Sequence, residues 1–216
     1  MRFHDRAEAG RKLAARLMPY AQHADVLVLG LPRGGVPVAY EVASALQAPL
    51  DVLIVRKLGV PGQEELALGA IASGGIRVLN EEVVQTLGIP EQVIEAITVR
   101  EQQELLRREQ LYRGDRPVSG LHGRVIILID DGIATGATMR AAIAVIRSQQ
   151  PARLVVAIPV AAAVVCQAVG TEVDELVCLL SPDIFLGVGV WYQHFPQISD
   201  EQVRALLARA RHIPAA

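Results

Sequence analysis

Two adjacent acids, Asp130 and Asp131, directly follow an apolar run at 125–129 and precede a loop of small and hydroxylated residues. The loop contains Gly132, Ala134, Thr135, Gly136, Ala137 and Thr138, after which the apolar pattern becomes helical. Small side chains let a phosphate approach the backbone, and the N–H groups at the start of the helix stabilise its charge. The two carboxylates add acceptors suited to sugar hydroxyl groups. This segment therefore predicts a site for a ribose 5-phosphate group.

A plainer interpretation of the same segment is that Asp131 caps the helix and the glycines only make the turn. Capping requires one acceptor, whereas the segment combines an apolar strand, an acid pair and a Thr-Gly-Ala-Thr sequence. The loop also lacks the Gly-Lys-Ser/Thr ending of a nucleoside triphosphate loop and the Gly-x-Gly-x-x-Gly pattern of dinucleotide folds. A sugar-phosphate site explains more of the segment than a cap does.

A second glycine-rich loop, Gly-Leu-Pro-Arg-Gly-Gly at 30–35, follows the first predicted strand and opens a helix. It offers backbone amides and one cation, Arg33, to a second phosphate group. We expect Arg33 to neutralise negative charge there, and Gly34 and Gly35 to permit an unusual backbone conformation. Alone, the loop is equally typical of an ordinary turn with a surface arginine. Beside the acid pair, it indicates a second phosphate site.

Two further cations, Arg56 and Lys57, end the second predicted strand at 52–55. Ligands bind at strand ends in open α/β sheets, which favours a binding role, although paired cations at such ends are also often solvated surface. Many glycines and prolines follow between 58 and 75, where we expect a mobile loop or a β excursion. This segment contains Glu64 and Glu65, for which two alternatives stay open: a contact with a magnesium ion, or no ligand contact.

The elements that must position these groups alternate between short apolar runs and helical patterns. Strands are predicted at 26–29, 52–55, 67–72, 76–79, 125–129, 154–160 and 173–180, and helices at 5–19, 36–46, 91–113, 138–148 and 201–211. Because the main strands are apolar on both faces, we predict an α/β fold with an open, mainly parallel sheet and helices on both faces. No repeat or linker divides the chain, so we expect one domain over 1–216, with a helical insertion at 80–115.

Composition and charge exclude several classes of protein. The chain of 216 residues is 51% hydrophobic, with a formal net charge of −2 and a pI near 6.2, so nothing favours nucleic-acid binding. The longest apolar run, at 154–166, is too short for a bilayer span, and the charged N-terminus lacks the apolar core of a signal peptide. The 2 cysteines and scattered histidines indicate neither a disulfide scaffold nor a zinc site, so a cytoplasmic location is expected.

The sequence Ile-Leu-Ile-Asp-Asp-Gly-Ile-Ala-Thr-Gly-Ala-Thr at 127–138 resembles the phosphoribosyl pyrophosphate (PRPP) binding motif of type I phosphoribosyltransferases. The order of elements is compatible with that family over nearly the whole chain. The resemblance implies that Asp130 and Asp131 hold the ribose 2- and 3-hydroxyls and that residues 134–138 wrap the 5-phosphate. Ala137 departs from the pattern, since many members have a second glycine there. A methyl group is tolerated if the backbone angle is ordinary.

The resemblance also implies a reaction in nucleotide metabolism, the displacement of pyrophosphate from PRPP by a nitrogenous acceptor such as a nucleobase. The catalytic residues would be Arg33, Lys57, Asp130 and Asp131, and the loop at 30–35, with Gly34 and Gly35, would bind the pyrophosphate together with Arg56. Mg²⁺ would arrive with PRPP, without direct protein ligands and with at most a water-mediated contact to Asp130. A homo-oligomer is compatible with this assignment.

The acceptor site is the least specified part of the sequence. In similar enzymes a small hood from the terminal segments builds it, and residues 181–200 hold half of the aromatic residues of a chain that is only 4% aromatic. We expect Phe185, Trp191 or Tyr192 to stack on a flat base and Asp183 to read its edge. The alternative is that these rings pack a small satellite core. No hypoxanthine, adenine, uracil or orotate signature is recognised.

Two other functions are compatible with a PRPP motif. One is a non-catalytic PRPP-sensing regulatory protein, against which stand the absence of a recognisable DNA-binding motif and the presence of Arg33 and Lys57. The other is a subunit of a PRPP-forming synthetase, which no ATP-binding feature supports. A catalytic transferase is the leading hypothesis.

Overall fold

The computed structural model describes residues 2–213, apart from the side chains of Glu64 and Glu65, so their expected metal contact lies outside the described part. The helices are α1 (Arg6–Leu17), α2 (Gly35–Leu46), α3 (Glu81–Leu87), α4 (Glu91–Arg113), α5 (Ala137–Ser148), α6 (Ala163–Gly170) and α7 (Asp200–Ala210). The strands are β1 (Val26–Gly30), β2 (Leu50–Val52), β3 (Val55–Val60), β4 (Gln63–Ala72), β5 (Ile76–Leu79), β6 (Val125–Ile129), β7 (Arg153–Val160) and β8 (Glu175–Leu180). Two 3-10 helices, Met18–Tyr20 and Val188–Trp191, complete the described chain.

A parallel sheet in the order β2-β1-β6-β7-β8 forms the centre of the molecule, which confirms the predicted α/β fold. Its apolar strands bury alternate side chains on opposite faces. Leu27 and Leu29 pack with α5 and α6, whereas Val26 and Val28 pack with α1 and α2. Burial on both faces explains why these strands read as continuous apolar runs rather than alternating ones.

A second sheet, antiparallel and in the order β3-β4-β5, holds the glycine-rich segment. The two strands predicted around the turn at 73–75 are confirmed. The strand predicted at 52–55 is wrong, because β2 ends at Val52 and β3 begins a different sheet at Val55. Leu53 and Ile54 connect β2 to β3, and both are buried. They belong to two different buried clusters, Leu53 to the one beside α5 and Ile54 to the one beneath α4. A continuous apolar run does not reveal where the chain changes sheets.

The charged helix predicted at 91–113 is confirmed as α4, which packs across the antiparallel sheet. Ile94 and Leu105 share a buried cluster with Leu58 and Leu68 of that sheet, and Leu207 of α7 joins it. The segment predicted as a helical insertion therefore contains the helix that covers the antiparallel sheet. The same sheet also contacts α5.

The beginning of the described chain meets the segment at 191–193 beside the parallel sheet. The backbone of Phe3 bonds to Trp191 and Gln193, at 2.8 Å in both cases, and an isolated bridge pairs Phe3 with Tyr192. These terminal segments form the small layer expected from the sequence. None of the helices in residues 2–213 combines the length and the apolar character that a bilayer span requires.

Candidate active site

The two predicted ligand loops lie side by side, because β1 and β6 are parallel neighbours in the sheet. Gly30 at the end of β1 pairs with Ile129 at the end of β6, and the N–H of Leu31 donates to the Ile129 carbonyl at 2.9 Å. The carboxyl ends of parallel strands share one edge of a sheet, where ligands bind in α/β folds. The structure thus brings both loops to one place.

Gly34 and Gly35 are required by space rather than by backbone conformation. Gly34 has ordinary helical angles, with φ at −65°, and the unusual backbone expected of this loop lies next to it, at the cis peptide bond between Pro32 and Arg33. A Cβ atom on Gly34 would lie 2.0 Å from Oδ2 of Asp131, and one on Gly35 would lie 2.7 Å from the Ile129 carbonyl oxygen. Real Cβ atoms do not approach so closely, and the missing side chains let the two loops touch.

The loop after β6 wraps the N-terminus of α5. Gly136 precedes the helix with φ at +84°, a left-handed conformation that favours glycine. Ala137 opens the helix without a positive φ, so its methyl group fits as predicted. Ala134, Thr135 and Thr138 are exposed, whereas Gly132 and Gly136 are buried. Exposed hydroxyls and helix-start amides are the groups that a phosphate would contact.

The two acids lie in a recess between the loops, where their pKa values are raised. Burial is the main cause of the raised pKa of Asp130, and the negative charge of Asp131 adds to it. One carboxylate oxygen of Asp130 accepts the backbone N–H of Asp131 at 2.8 Å. Burial also raises the pKa of Asp131, although a hydrogen bond from Arg6 opposes that shift. The recess therefore holds two carboxylates and one compensating cation.

Arg6, in the first turn of α1, supplies that cation and was not predicted as a site residue. Its Nε donates to Oδ2 of Asp131 at 2.8 Å, and the two side chains are only 8% and 14% exposed. Its Nη1 donates to the Pro196 carbonyl at 2.8 Å, and its guanidinium lies 3.7 Å from the centre of the Phe195 ring. Arg6 thus ties the acid pair to both terminal segments of the chain.

Tyr192 contacts the backbone of the loop that follows β6. Its hydroxyl donates to the Asp131 carbonyl at 2.5 Å, and burial raises the pKa of that hydroxyl. The ring packs between Phe3 and Phe195, at centroid distances of 5.5 and 4.8 Å, and only 4% of the residue is exposed. The expectation that Tyr192 stacks on an acceptor is therefore wrong in this structure, where the satellite-core alternative applies to it.

A cleft of about 560 Å³ opens between β3, α4 and the start of α5. It is lined by Thr138 from the loop predicted to bind phosphate and by Arg56 and Lys57, which lie inside β3 rather than at the end of a parallel strand. Glu101 of α4 holds Arg56 through bonds of 2.9 Å to Nε and 2.6 Å to Nη2. Arg100 of α4 lines the cleft as well. The charged helix without a predicted role is thus a wall of this cleft.

Arg33 leans toward the start of α7. Its Nη1 lies 3.8 Å from Oδ1 of Asp200, and 39% of its side chain is exposed. The hydroxyl of Tyr112 in α4 donates to the same oxygen at 2.5 Å. The Asp200 carboxylate thus contacts both Arg33 of the loop after β1 and Tyr112 of α4.

A family model for the phosphoribosyl transferase domain matches residues 2–179 of the chain. The chain belongs to the phosphoribosyl transferase family. The match includes both ligand loops, the antiparallel sheet and α4, and it ends within β8, before the terminal segment that holds Tyr192.

Relatives within the family share much of this sequence. The chain is 49% identical over 208 residues to a protein of Mycobacterium tuberculosis strain CDC 1551, and equally to one of strain H37Rv, whose names give phosphoribosyl transferase as a provisional assignment. The alignment takes in 96% of this chain and 47% of each relative. The chain thus spans about half the length of the curated relatives it matches.

Solved structures show the same fold. The crystal structure of TT1426 from Thermus thermophilus superposes with a TM-score of 0.89 at 43% identity, and the match covers 97% of this chain and 99% of that one. A hypoxanthine phosphoribosyltransferase of Staphylococcus aureus matches with a TM-score of 0.50 at 14% identity, over 90% of this chain and 84% of the other. At that identity the likeness concerns the fold alone.

The other predicted acceptor residues lie in the segment after β8. Asp183 is exposed, whereas Phe185 and Trp191 are partly buried against the cluster of Phe3 and Tyr192. Ile184 and Leu186 are 80% and 84% exposed. The assignment of Asp183, Phe185 and Trp191 to an acceptor site stays a prediction.

Proposed function

We propose that this protein is a catalytic phosphoribosyltransferase that moves the 5-phosphoribosyl group of PRPP to a nitrogenous acceptor and releases pyrophosphate. One observation carries the proposal. Two loops suited to phosphate, at the ends of adjacent parallel strands, touch each other across Gly34, and a buried acid pair lies between them. A ligand with phosphate at one end, pyrophosphate at the other and a hydroxylated sugar between them matches this order of groups.

In the proposed complex the loop at 134–138 holds the 5-phosphate through the amides at the start of α5 and the hydroxyls of Thr135 and Thr138. Asp130 and Asp131 accept hydrogen bonds from the ribose hydroxyls and so orient the anomeric carbon. The raised pKa values of both carboxyls fit this task, because burial disfavours their charged forms and hydrogen bonds donated by the ribose hydroxyls would stabilise those forms.

Charge builds on the pyrophosphate as its bond to the anomeric carbon breaks. The amides of the loop at 30–35, together with Arg33, Arg56 and Lys57, stabilise that charge in the proposed mechanism. Cations already fixed in position contribute most, because they need no reorganisation when the bond breaks. Arg56 is fixed in this way, since Glu101 holds it with two hydrogen bonds.

We propose that Mg²⁺ is bound together with PRPP rather than by a dedicated protein cage. Among the described side chains, which leave out Glu64 and Glu65, no group of three or more His, Cys, Asp or Glu is placed to hold a metal ion. One carboxylate oxygen of Asp130 accepts the Asp131 N–H at 2.8 Å. A water molecule of the hydrated ion would donate to the other oxygen, which gives a water-mediated contact. When bound, the ion would neutralise charge on the pyrophosphate.

A transfer assay tests the proposal. The protein is incubated with PRPP, Mg²⁺ and a panel of nucleobases and small amines, and the release of pyrophosphate is measured. The proposal predicts release that depends on one acceptor class. Asp130→Asn should weaken PRPP binding roughly 10-fold to 100-fold, the value of a hydrogen bond to a charged group. Asp25→Asn is the matched control, since Asp25 is exposed before β1, at the opposite edge of the sheet.

Tight PRPP binding without acceptor-dependent release would instead identify a PRPP sensor, and the transferase proposal would be wrong. Unchanged PRPP affinity in Asp130→Asn would overturn the assignment of the ribose site itself. The two failures are distinct, because the first concerns the reaction and the second concerns the location of the donor.

We also propose a cytoplasmic location. Cys166 and Cys178 are thiols whose Sγ atoms lie 3.2 Å apart without forming a disulfide, which suits a reducing compartment. Consumption of PRPP in nucleotide metabolism fits the same compartment.

A further inference from the structure

The 2 cysteines of the chain contact each other, although they lie 12 residues apart and on different elements. Cys166 belongs to α6 and Cys178 to β8, and their Sγ atoms are 3.2 Å apart. Both are free thiols on partly exposed residues. Neither lines the cleft beside Arg56 and Lys57, and neither is assigned to PRPP. The chain thus has a pair of adjacent thiols outside the proposed donor site.

The hydrogen bonds of the pair distinguish the two sulfurs. The thiol of Cys166 donates to Sγ of Cys178 at 3.2 Å, and the thiol of Cys178 donates to the Leu180 carbonyl at 3.1 Å. A lone pair of Cys178 therefore faces the Cys166 sulfur. Burial raises the pKa of Cys178 to about 12. Because the thiolate is the form that attacks an oxidant, Cys178 is a poor first target.

The helix that carries Cys166 is held by few buried side chains. Of the 8 residues of α6, only Val169 is buried. Val164, two positions before Cys166, is 72% exposed. Short elements with little buried apolar surface open locally at a low free energy. A small solute such as a peroxide can therefore reach the Cys166 sulfur while the sheet stays folded.

We propose that Cys166 and Cys178 are a redox-sensitive thiol pair, which a peroxide converts into an intramolecular disulfide that ties α6 to β8. A disulfide holds its two sulfurs about 2 Å apart, so the pair must close by only about 1 Å. Rotation of the two side chains and a small shift of α6 would supply this movement. In a reducing compartment the two thiols are the resting form, and the disulfide forms when oxidant is present.

The oxidation takes place in two balanced steps. The Cys166 thiolate attacks one oxygen of hydrogen peroxide and the O–O bond breaks. The departing hydroxide takes up the proton that the thiol released, which leaves a sulfenic acid and one water molecule. The Cys178 sulfur then attacks the Cys166 sulfur, the S–O bond breaks as the S–S bond forms, and the hydroxide leaves with the Cys178 proton as a second water molecule. The two thiols lose two electrons in total, and the peroxide gains them.

The test treats the freshly reduced full chain with hydrogen peroxide at about pH 8, where thiolate forms. Mass spectrometry should find a monomer that has lost two hydrogens and whose cysteines both resist alkylation after denaturation. Dithiothreitol should restore both thiols. A disulfide that fits the native fold restricts the unfolded chain, so for cysteines 12 residues apart Tm should rise by roughly 6–12 °C on oxidation.

Two variants, each with one thiol left, separate the roles of the sulfurs. Cys178→Ala should accumulate the sulfenic acid of Cys166, which dimedone traps, and should form no intramolecular bond. Cys166→Ala should react with peroxide at least about 10-fold more slowly than Cys178→Ala, because the pKa of the remaining thiol is raised. The Tm of each reduced variant reports whether it is folded.

Several results would overturn the proposal. It fails if peroxide leaves both thiols free, if it yields only disulfide-linked dimers whose amount rises with protein concentration, or if the two sulfurs are oxidised separately to sulfinic acids. An unchanged or lower Tm after oxidation would also overturn it, since the bond would then form only outside the native fold. Equal reaction rates of the two variants would contradict the assignment of Cys166 as the first target. None of these results depends on PRPP, so they leave the proposed transfer reaction untouched.

Discussion

Removal of the Arg6 side chain is the sharpest test of how the acid pair is held. In Arg6→Met, Asp131 loses the cation that donates to it at 2.8 Å and remains beside Asp130, with 14% of its own side chain exposed. Methionine fills much of the same volume without a charge. We therefore expect the variant to fold but to be clearly less stable than the unchanged protein at neutral pH.

The burial of the Arg6–Asp131 pair determines how much of the free energy of unfolding Arg6→Met should lose. Removing one partner of a buried ion pair costs about 3–5 kcal/mol, because the other charge stays buried. Both side chains here keep a small solvent contact, so we expect about 3 kcal/mol, toward the lower end of that range. For a chain of 216 residues this corresponds to a fall in Tm of roughly 6–12 °C.

The loss should depend on pH. Without Arg6 the pKa of Asp131 in the folded state rises further, because burial already raises it and Arg6 opposes that rise. A carboxyl with a raised pKa contributes stability below its unfolded pKa of about 3.9, and this contribution is lost as pH rises through the folded pKa. The difference in stability between the two proteins should thus shrink as pH falls toward 4.

Thermal or urea unfolding of a double-mutant cycle measures the effect. Arg6→Met should cost much less in an Asp131→Asn background, with a coupling energy of about 2 kcal/mol between the two sites. Arg11→Met, at an exposed position of the same helix, should stay within about 0.5 kcal/mol of the unchanged protein. Equal losses from Arg6→Met in both backgrounds would refute the reasoning, since Asp131 would then play no part in them.

Three further predictions concern the same loops. Asp130→Asn should raise Tm at pH 7, because the raised pKa of Asp130 makes the folded parent protein less stable as pH increases and asparagine does not ionise. Melting curves over a pH series should show that this gain vanishes below about pH 4, where the carboxyl is protonated in both the folded and the unfolded state. Tyr192→Phe should cost about 1 kcal/mol in urea unfolding, since the Asp131 carbonyl loses its donor at 2.5 Å; a stability equal to the parent would count against that bond. Gly34→Ala should weaken PRPP binding severely in calorimetry, because its Cβ would lie 2.0 Å from an Asp131 oxygen; Gly120→Ala, with no atom within 4 Å of its Cβ, should bind PRPP normally.

Local patterns were sufficient for the elements that carry their own signals. The charged run from Glu91 to Arg113 lies between Pro90 and Gly114 and has no internal breaker, so both ends of α4 were predictable. The apolar run before Asp130 likewise predicted β6 at its observed bounds. In these cases the residues that define the element are adjacent in sequence.

The sequence was insufficient where a role depends on a distant partner. Arg6 has the pattern of an ordinary helical arginine, and its importance comes from Asp131, which is 125 residues away. Glu101 lies 45 residues from the Arg56 that it holds. The change of sheet at Leu53 and Ile54 was missed for a related reason, because burial in either sheet demands the same apolar residues.

The bonds of Arg6 also fix the order in which the protein can mature during its synthesis. The ribosome delivers Arg6 first, Asp131 later, and Pro196, which is 190 residues beyond Arg6, later still. Both ligand loops therefore leave the ribosome well before the segment that clamps Arg6 in place. Native contacts of such long sequence separation form late in folding. A nascent chain would thus hold the acid pair loosely, and the recess would reach its final form only after the segment around Pro196 has been released.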